Sequence, residues 1–116
     1  MGSVLIVDDD DSIRQCFHDL LTREGHRALV WPGSTDVDQV IGRMHPDVVI
    51  TDHNLNPGEE KGLDLAARLV ASGQKAVLMS SDETLERLAL SRGVPFYYKL
   101  APLEQLFAMV DMAGRG

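Results

Sequence analysis

Five residues that could do chemistry stand at the ends of four short apolar runs. Asp8 and Asp9 follow Val4-Leu5-Ile6-Val7, and Asp52 follows Val48-Val49-Ile50-Thr51. Ser80 follows Ala76 to Met79, and Lys99 follows Phe96-Tyr97-Tyr98. Three carboxylates drawn together where water is partly excluded repel one another strongly. A hard divalent cation relieves that repulsion. Mg²⁺ suits such a place because it accepts a few carboxylates, keeps several waters and leaves room for phosphate oxygens. A lysine and a hydroxyl beside it add a point charge and a hydrogen-bond donor for a phosphoryl group. Together these groups could form an aspartyl phosphate.

Each residue alone has an ordinary explanation. Asp8 to Asp11 can be a solvated acidic turn, and capping a helix is the role we assign to Asp10 and Asp11. Asp52 could be a turn residue, Ser80 a cap and Lys99 a surface charge. What sets them apart is position, so the elements that place them decide the matter.

The four runs read as strands, and the apolar Val4–Val7 and Val48–Ile50 runs suit strands buried on both faces of a parallel sheet. Ala28–Trp31 reads as a further strand, stopped by Pro32-Gly33, and the last strand as Val94–Tyr98. Helical stripes alternate with them. The first is Ile13, Cys16, Phe17, Leu20 and Leu21, closed by Gly25 as a left-handed cap. The second is Val37, Val40, Ile41 and Met44, with Thr35 and Asp38 resembling a capping box. Leu63, Ala66, Ala67 and Val70 mark a third, Leu85, Leu88 and Ala89 a fourth. Pro102 opens a fifth, bearing Leu103, Leu106, Phe107 and Val110. Five β–α repeats imply an α/β domain with a parallel sheet, helices on both faces and right-handed crossovers. Ligands in such sheets bind outside the carboxyl ends of the strands, where all five residues fall.

The 116 residues suffice for one core, and carry eleven Lys and Arg against eighteen Asp and Glu, a net charge of −7. That charge argues against a nucleic-acid footprint and against adsorption to an anionic membrane. No apolar run approaches the ~18 residues needed to span a bilayer, and no signal peptide opens the chain. The single cysteine, Cys16, cannot form an internal disulfide, which fits a reducing cytoplasm; its place on the first stripe predicts a small buried residue. His53 is expected on the rim of the site, His18, His26 and His45 in solvent, and Trp31 partly buried at a strand end.

The chain resembles the receiver domain of response regulators, the CheY-like family with a flavodoxin-like fold and strand order 2-1-3-4-5. The resemblance rests on Val4–Asp9 with Ser12-Ile13-Arg14, on Pro46–Asp52, on Val77–Ser81 and on Phe96–Lys99. It implies one receiver domain over residues 1–116 with no effector domain, working in a two-component His-to-Asp system. Asp52 would be the phosphoacceptor, with Lys99 and Ser80 contacting the phosphoryl group. Mg²⁺ would be held by Asp8, Asp9, Asp52 and the backbone carbonyl of Asn54. Ser80 and Phe96 would form the switch, with Phe96 as an aromatic that swings inward or, equally, an ordinary core residue of the last strand. Read-out would use the face built by the fourth helix, fifth strand and fifth helix. The partner would be a histidine kinase or phosphotransfer domain, in the cytoplasm, without direct contact to nucleic acid or membrane. The chain would catalyse only its own phosphorylation and dephosphorylation, as a stand-alone regulator or as the receiver of a hybrid kinase.

Three departures from the family pattern bear on this. Leu100-Ala101 stands where a cis-proline usually follows the lysine, which predicts a trans junction of different shape and leaves the reach of Lys99 open. The loop from Asp52 to Gly62 is about two residues longer than usual and contains Glu59-Glu60-Lys61. Gly93-Val94-Pro95-Phe96 is tighter than the common form. Three other readings compete. Asp8, Asp10 and Ser12 loosely imitate the motif of haloacid-dehalogenase phosphatases, which need a larger core. A nucleotide-binding flavodoxin relative would need a phosphate loop where four aspartates stand. A degenerate receiver would serve only as a docking module.

Overall fold

The computed structural model describes residues 2–115, which form five strands and five helices in strict alternation. These are β1 (Ser3–Val7), α1 (Asp11–Arg23), β2 (Arg27–Trp31), α2 (Val37–Met44) and β3 (Val48–Asp52). They continue with α3 (Gly62–Ala71), β4 (Ala76–Ser80), α4 (Leu85–Ser91), β5 (Phe96–Tyr98) and α5 (Leu103–Arg115). The strands pair in parallel in the order β2-β1-β3-β4-β5, the flavodoxin-like order the resemblance implies.

Because successive side chains of a strand point to opposite faces, the sheet builds two cores. Leu5, Val7, Val49 and Leu78 pack with α2, α3 and α4; Val4, Ile6, Ile50 and Met79 pack with α1 and α5. β3 and β4 are buried at every position, which explains why their sequences are continuous apolar runs rather than alternating ones. β5 divides its residues the same way. Phe96 enters the first core and Tyr97 the second.

Helix ends follow the local chemistry. The Asp10 carboxylate accepts the N–H groups of Ser12 (2.8 Å) and Ile13 (3.1 Å) and so caps α1. Gly25, at φ +90°, ends that helix, with its N–H on the Thr22 carbonyl and that of His26 on the Leu21 carbonyl.

Four expectations are corrected. Cys16 is exposed, because Ile13, Phe17 and Leu21 already fill the buried stripe and Cys16 lies about 100° from Phe17 around the helix. His26 is buried, its Nδ1 accepting the Gly2 N–H at 3.0 Å. Thr35 does not cap α2. That helix starts after Asp36 in a left-handed conformation (φ 62°) without a side-chain cap, and the Thr35 hydroxyl bonds the Glu59 carboxylate instead. The last strand begins at Phe96 rather than Val94, because the Val94 N–H is spent on the Ala89 carbonyl, closing α4. Trp31 is partly buried at its strand end and His45 is exposed, as expected.

Candidate functional site

β1, β3, β4 and β5 all end on one edge, and the register aligns them. Val7 pairs with Thr51, Asp52 with Met79 and Ser80 with Tyr98, so the residues that follow converge there. Asp8, Asp9 and Asp52 each offer a carboxylate oxygen, and these oxygens lie within 4.8 Å of one another. Asp8 is only 1% exposed and Asp52 is buried, while Asp9 faces solvent.

Lys99 reaches the cluster in spite of the altered junction. Its Nζ lies 3.0 Å from Asp52 Oδ1 and 3.4 Å from Asp8 Oδ2. The path is set by backbone. The Lys99 N–H donates to the Ser80 carbonyl at 2.9 Å, and the chain then turns through an Ala101 N–H to Tyr98 carbonyl bond of 2.8 Å. The Tyr97 hydroxyl holds the turn by donating to the Ala101 carbonyl, leaving Leu100 largely exposed. No peptide bond among the described residues is cis.

Charge is unbalanced here. Three carboxylates face one ammonium, and the protonation states show the conflict. Burial first, and the neighbouring Asp52 charge further, push the Asp8 carboxyl above its ordinary range, although the Asp10 N–H and Lys99 pull the other way. Burial works against the Lys99 charge, but its bond to Asp52 and the two carboxylates overcome it and hold the ammonium above its usual value. An all-oxygen donor set with surplus negative charge fits a hard divalent cation.

The other predicted residues lie around this centre. Ser80 is buried at the end of β4, its Oγ accepting the Asp82 N–H at 3.0 Å, which leaves the hydroxyl proton available to a new acceptor. Asn54 is exposed in the loop after Asp52. His53 is partly buried, with Nδ1 accepting the Leu63 N–H at 3.3 Å. Phe96 lies inward already, packed in the α2–α4 core.

Sequence reasoning assigned no role to three residues that shape the site. Arg14 donates to the Asp8 carbonyl at 2.5 Å and pairs with Asp11, so the first turn of α1 braces the acidic segment. Thr51, fully buried, donates its hydroxyl to the Asp52 carbonyl at 2.9 Å. Gly62 lets the loop close on its own base. Its N–H donates to the His53 carbonyl at 2.9 Å, and any Cβ there would overlap the Asp52 carbonyl. A glycine ending a polar loop before a helical stripe was the available signal. The Arg14 and Thr51 contacts had none.

Comparison with known proteins gives a consistent picture. The family profile described as the response regulator receiver domain matches residues 4–94. The regulatory protein VirG of Agrobacterium tumefaciens is 30% identical over 97% of this chain and 43% of its own length. The transcriptional regulatory protein AfsQ1 of Streptomyces coelicolor is 30% identical over 68% of this chain and 34% of its own. The chain thus spans less than half the length of these curated relatives. Among solved structures, the BeF3-activated N-terminal receiver domain of Klebsiella pneumoniae RstA superposes with a TM-score of 0.84 at 27% identity, covering 98% of this chain and 99% of that one. TrrA of Thermotoga maritima, solved in complex with Mg(2+)-BeF, gives 0.81 at 21% identity over 97% and 99%, which speaks to the fold alone. No helix of the described residues is long and apolar enough to cross a membrane.

Proposed function

The chain belongs to the response regulator receiver family, and from that premise we propose that it accepts a phosphoryl group on Asp52 from a histidine kinase or phosphotransfer domain. The observation that carries this reading is the Lys99 ammonium at 3.0 Å from Asp52 Oδ1, inside a cluster of three carboxylates. Asp8, Asp9 and Asp52, with the Asn54 carbonyl, would hold Mg²⁺, which when bound would offset the negative charge of the phosphoryl oxygens. An Asp52 oxygen attacks phosphorus. The new O–P bond forms as the bond to the donor breaks, P–N for a phosphohistidine or P–O for acetyl phosphate, and the leaving atom keeps the electron pair. Lys99 then exchanges a carboxylate for a phosphoryl oxygen, and the Ser80 hydroxyl donates its proton to another.

The receiver reading implies a single phosphoryl group held on each chain at a time. With acetyl phosphate and Mg²⁺ the intact mass should rise by a single phosphoryl group, and p-nitrophenyl phosphate should not be consumed catalytically. Repeated turnover would return the haloacid-dehalogenase reading. Asp10, which that motif needs at the site, caps α1 instead.

We place the read-out on the face of α4, β5 and α5, since Ser80 and Lys99 each begin a segment leading to it. With Phe96 already inward, the Ser80 hydroxyl is the group left to move, and the change shifts an existing equilibrium rather than creating a state. Amide shifts measured with and without beryllofluoride should change from Ser80 through Leu90 and from Phe96 to Leu106. Changes confined to the neighbours of Asp52 would leave a chain that binds phosphate without switching.

A further inference from the structure

The loop after β3 and the turn after β2 are fastened together by residues about 25 apart in sequence. The Glu59 carboxylate accepts the N–H groups of Ser34 (3.2 Å) and Thr35 (3.0 Å) and the Thr35 hydroxyl. Asn56 Nδ2 donates both to Glu59 Oε1 (3.1 Å) and to the Pro32 carbonyl (3.2 Å). The Thr35 hydroxyl, bonding the charged form, holds the Glu59 carboxyl below its ordinary range. Gly33 is where the two segments cross. A Cβ there would overlap Glu59 Oε1 and lie 2.7 Å from Asn56 Nδ2, so the turn carries no side chain where the clasp passes.

Both ends of the clasp lead to the site. On one side the Trp31 indole donates to the Thr35 carbonyl at 2.8 Å, and the Trp31 carbonyl accepts the Asp8 N–H at 3.1 Å. On the other, Asn54 lies in the loop between the His53–Gly62 closure and Asn56. A loop left free would have to be ordered when a cation or phosphoryl group arrived, and that ordering would weaken binding.

We propose that Glu59 and Asn56 are positioning residues, holding the 53–61 loop against the β2–α2 turn so that the rim of the site is ordered before a cation binds. This rests on the receiver reading of the site. Trp31, the chain's only tryptophan, then reports on the clasp.

The test uses the full chain and Mg²⁺ alone, titrated by calorimetry and in parallel by Trp31 emission, with metal-free melting recorded for every variant. Glu59→Ala should weaken Mg²⁺ binding roughly tenfold, because the freed loop must then be ordered as the cation binds. Gly33→Ala keeps every clasp residue but drives a methyl group into the contact, and should weaken binding by a similar factor. Glu59→Gln, which retains one acceptor oxygen, should restore part of the affinity. The double variant Glu59→Ala/Thr35→Val should bind no more weakly than Glu59→Ala, because both changes remove one unit. If the wild type binds Mg²⁺ and Glu59→Ala and Gly33→Ala bind it within twofold of wild type, whatever their melting points, the positioning role is overturned and the receiver reading stands. If the wild type shows no Mg²⁺ response, both fall. Should Glu59→Ala not fold, Gly33→Ala and Thr35→Val decide the matter.

Discussion

Replacing Asp52 by Asn should abolish labelling by acetyl phosphate in the presence of Mg²⁺, leaving the intact mass unchanged where the wild type gains one phosphoryl group. The carboxamide has nearly the shape of the carboxylate, but it lacks the charge and the nucleophilic oxygen the transfer requires. The fold should persist, because the substitution also removes a negative charge from beside the buried Asp8. Lys99 loses its nearer partner at 3.0 Å yet keeps Asp8 at 3.4 Å. The melting point should therefore move by only a few degrees while labelling is lost entirely. A variant labelled like the wild type would move the acceptor to another residue.

Asp8→Asn should make the metal-free protein more stable. Asp8 is almost completely buried, and burial is the main reason its charged form is disfavoured. Asparagine keeps an oxygen able to accept the Asp10 N–H, which Asp8 now accepts at 3.0 Å. Lys99 retains Asp52. A gain of about 1 kcal/mol, roughly 4 °C in a domain of this size, is the expected scale. The same substitution removes a proposed ligand, so any stabilisation that Mg²⁺ gives the wild type should be lost. The pH dependence follows from linkage. The folded chain holds the Asp8 proton at higher pH than the unfolded chain, so this group's contribution to stability declines as pH rises from the ordinary carboxylate value through its raised one. Melts of the two metal-free proteins between pH 4 and 7 should therefore diverge with rising pH, the variant gaining on the wild type. A wild-type-sized Mg²⁺ shift in Asp8→Asn would show that the cation sits elsewhere.

The parallel order was legible because both faces of the sheet are covered, so the inner strands write themselves as unbroken apolar runs, and a sheet of that kind collects strand-end residues at one edge. Asp8, Asp9, Asp52 and Lys99 could therefore be grouped without knowing a single distance. Val94 resembles a strand residue by type, but its N–H completes the end of α4 and Pro95 has none to give. Thr35 and Asp38 have capping-box spacing, but the Thr35 hydroxyl is taken by Glu59, 24 residues away. His26 lacks ligand spacing and reads as a surface residue, yet Gly2 draws its ring inward. Thr35 and His26 are local patterns outcompeted by partners distant in sequence, whereas Val94 is claimed by the end of the helix five residues before it. The unusually long loop after Asp52 announced that something differed there, though not that Glu59 would reach across it.

The hydrogen bond from the Lys99 N–H to the Ser80 carbonyl, 2.9 Å long, has a mechanical meaning. It joins the last residue of β4 to the residue just past β5, so the two groups proposed to grip a phosphoryl group hang from one stiff crossbeam. Neither main chain can advance on the site without dragging the other. Sliding them apart would break a bond at the buried end of a ladder, where an unpaired peptide group is expensive. Compliance must then reside in what hangs from the beam or runs beyond it: the rotor of the Ser80 hydroxyl, the long stem of Lys99, and the Ser81–Thr84 and Leu100–Pro102 segments. The far wall of the site behaves as an anvil, fixed in height, against which a group attached to Asp52 would be felt by the segments on either side.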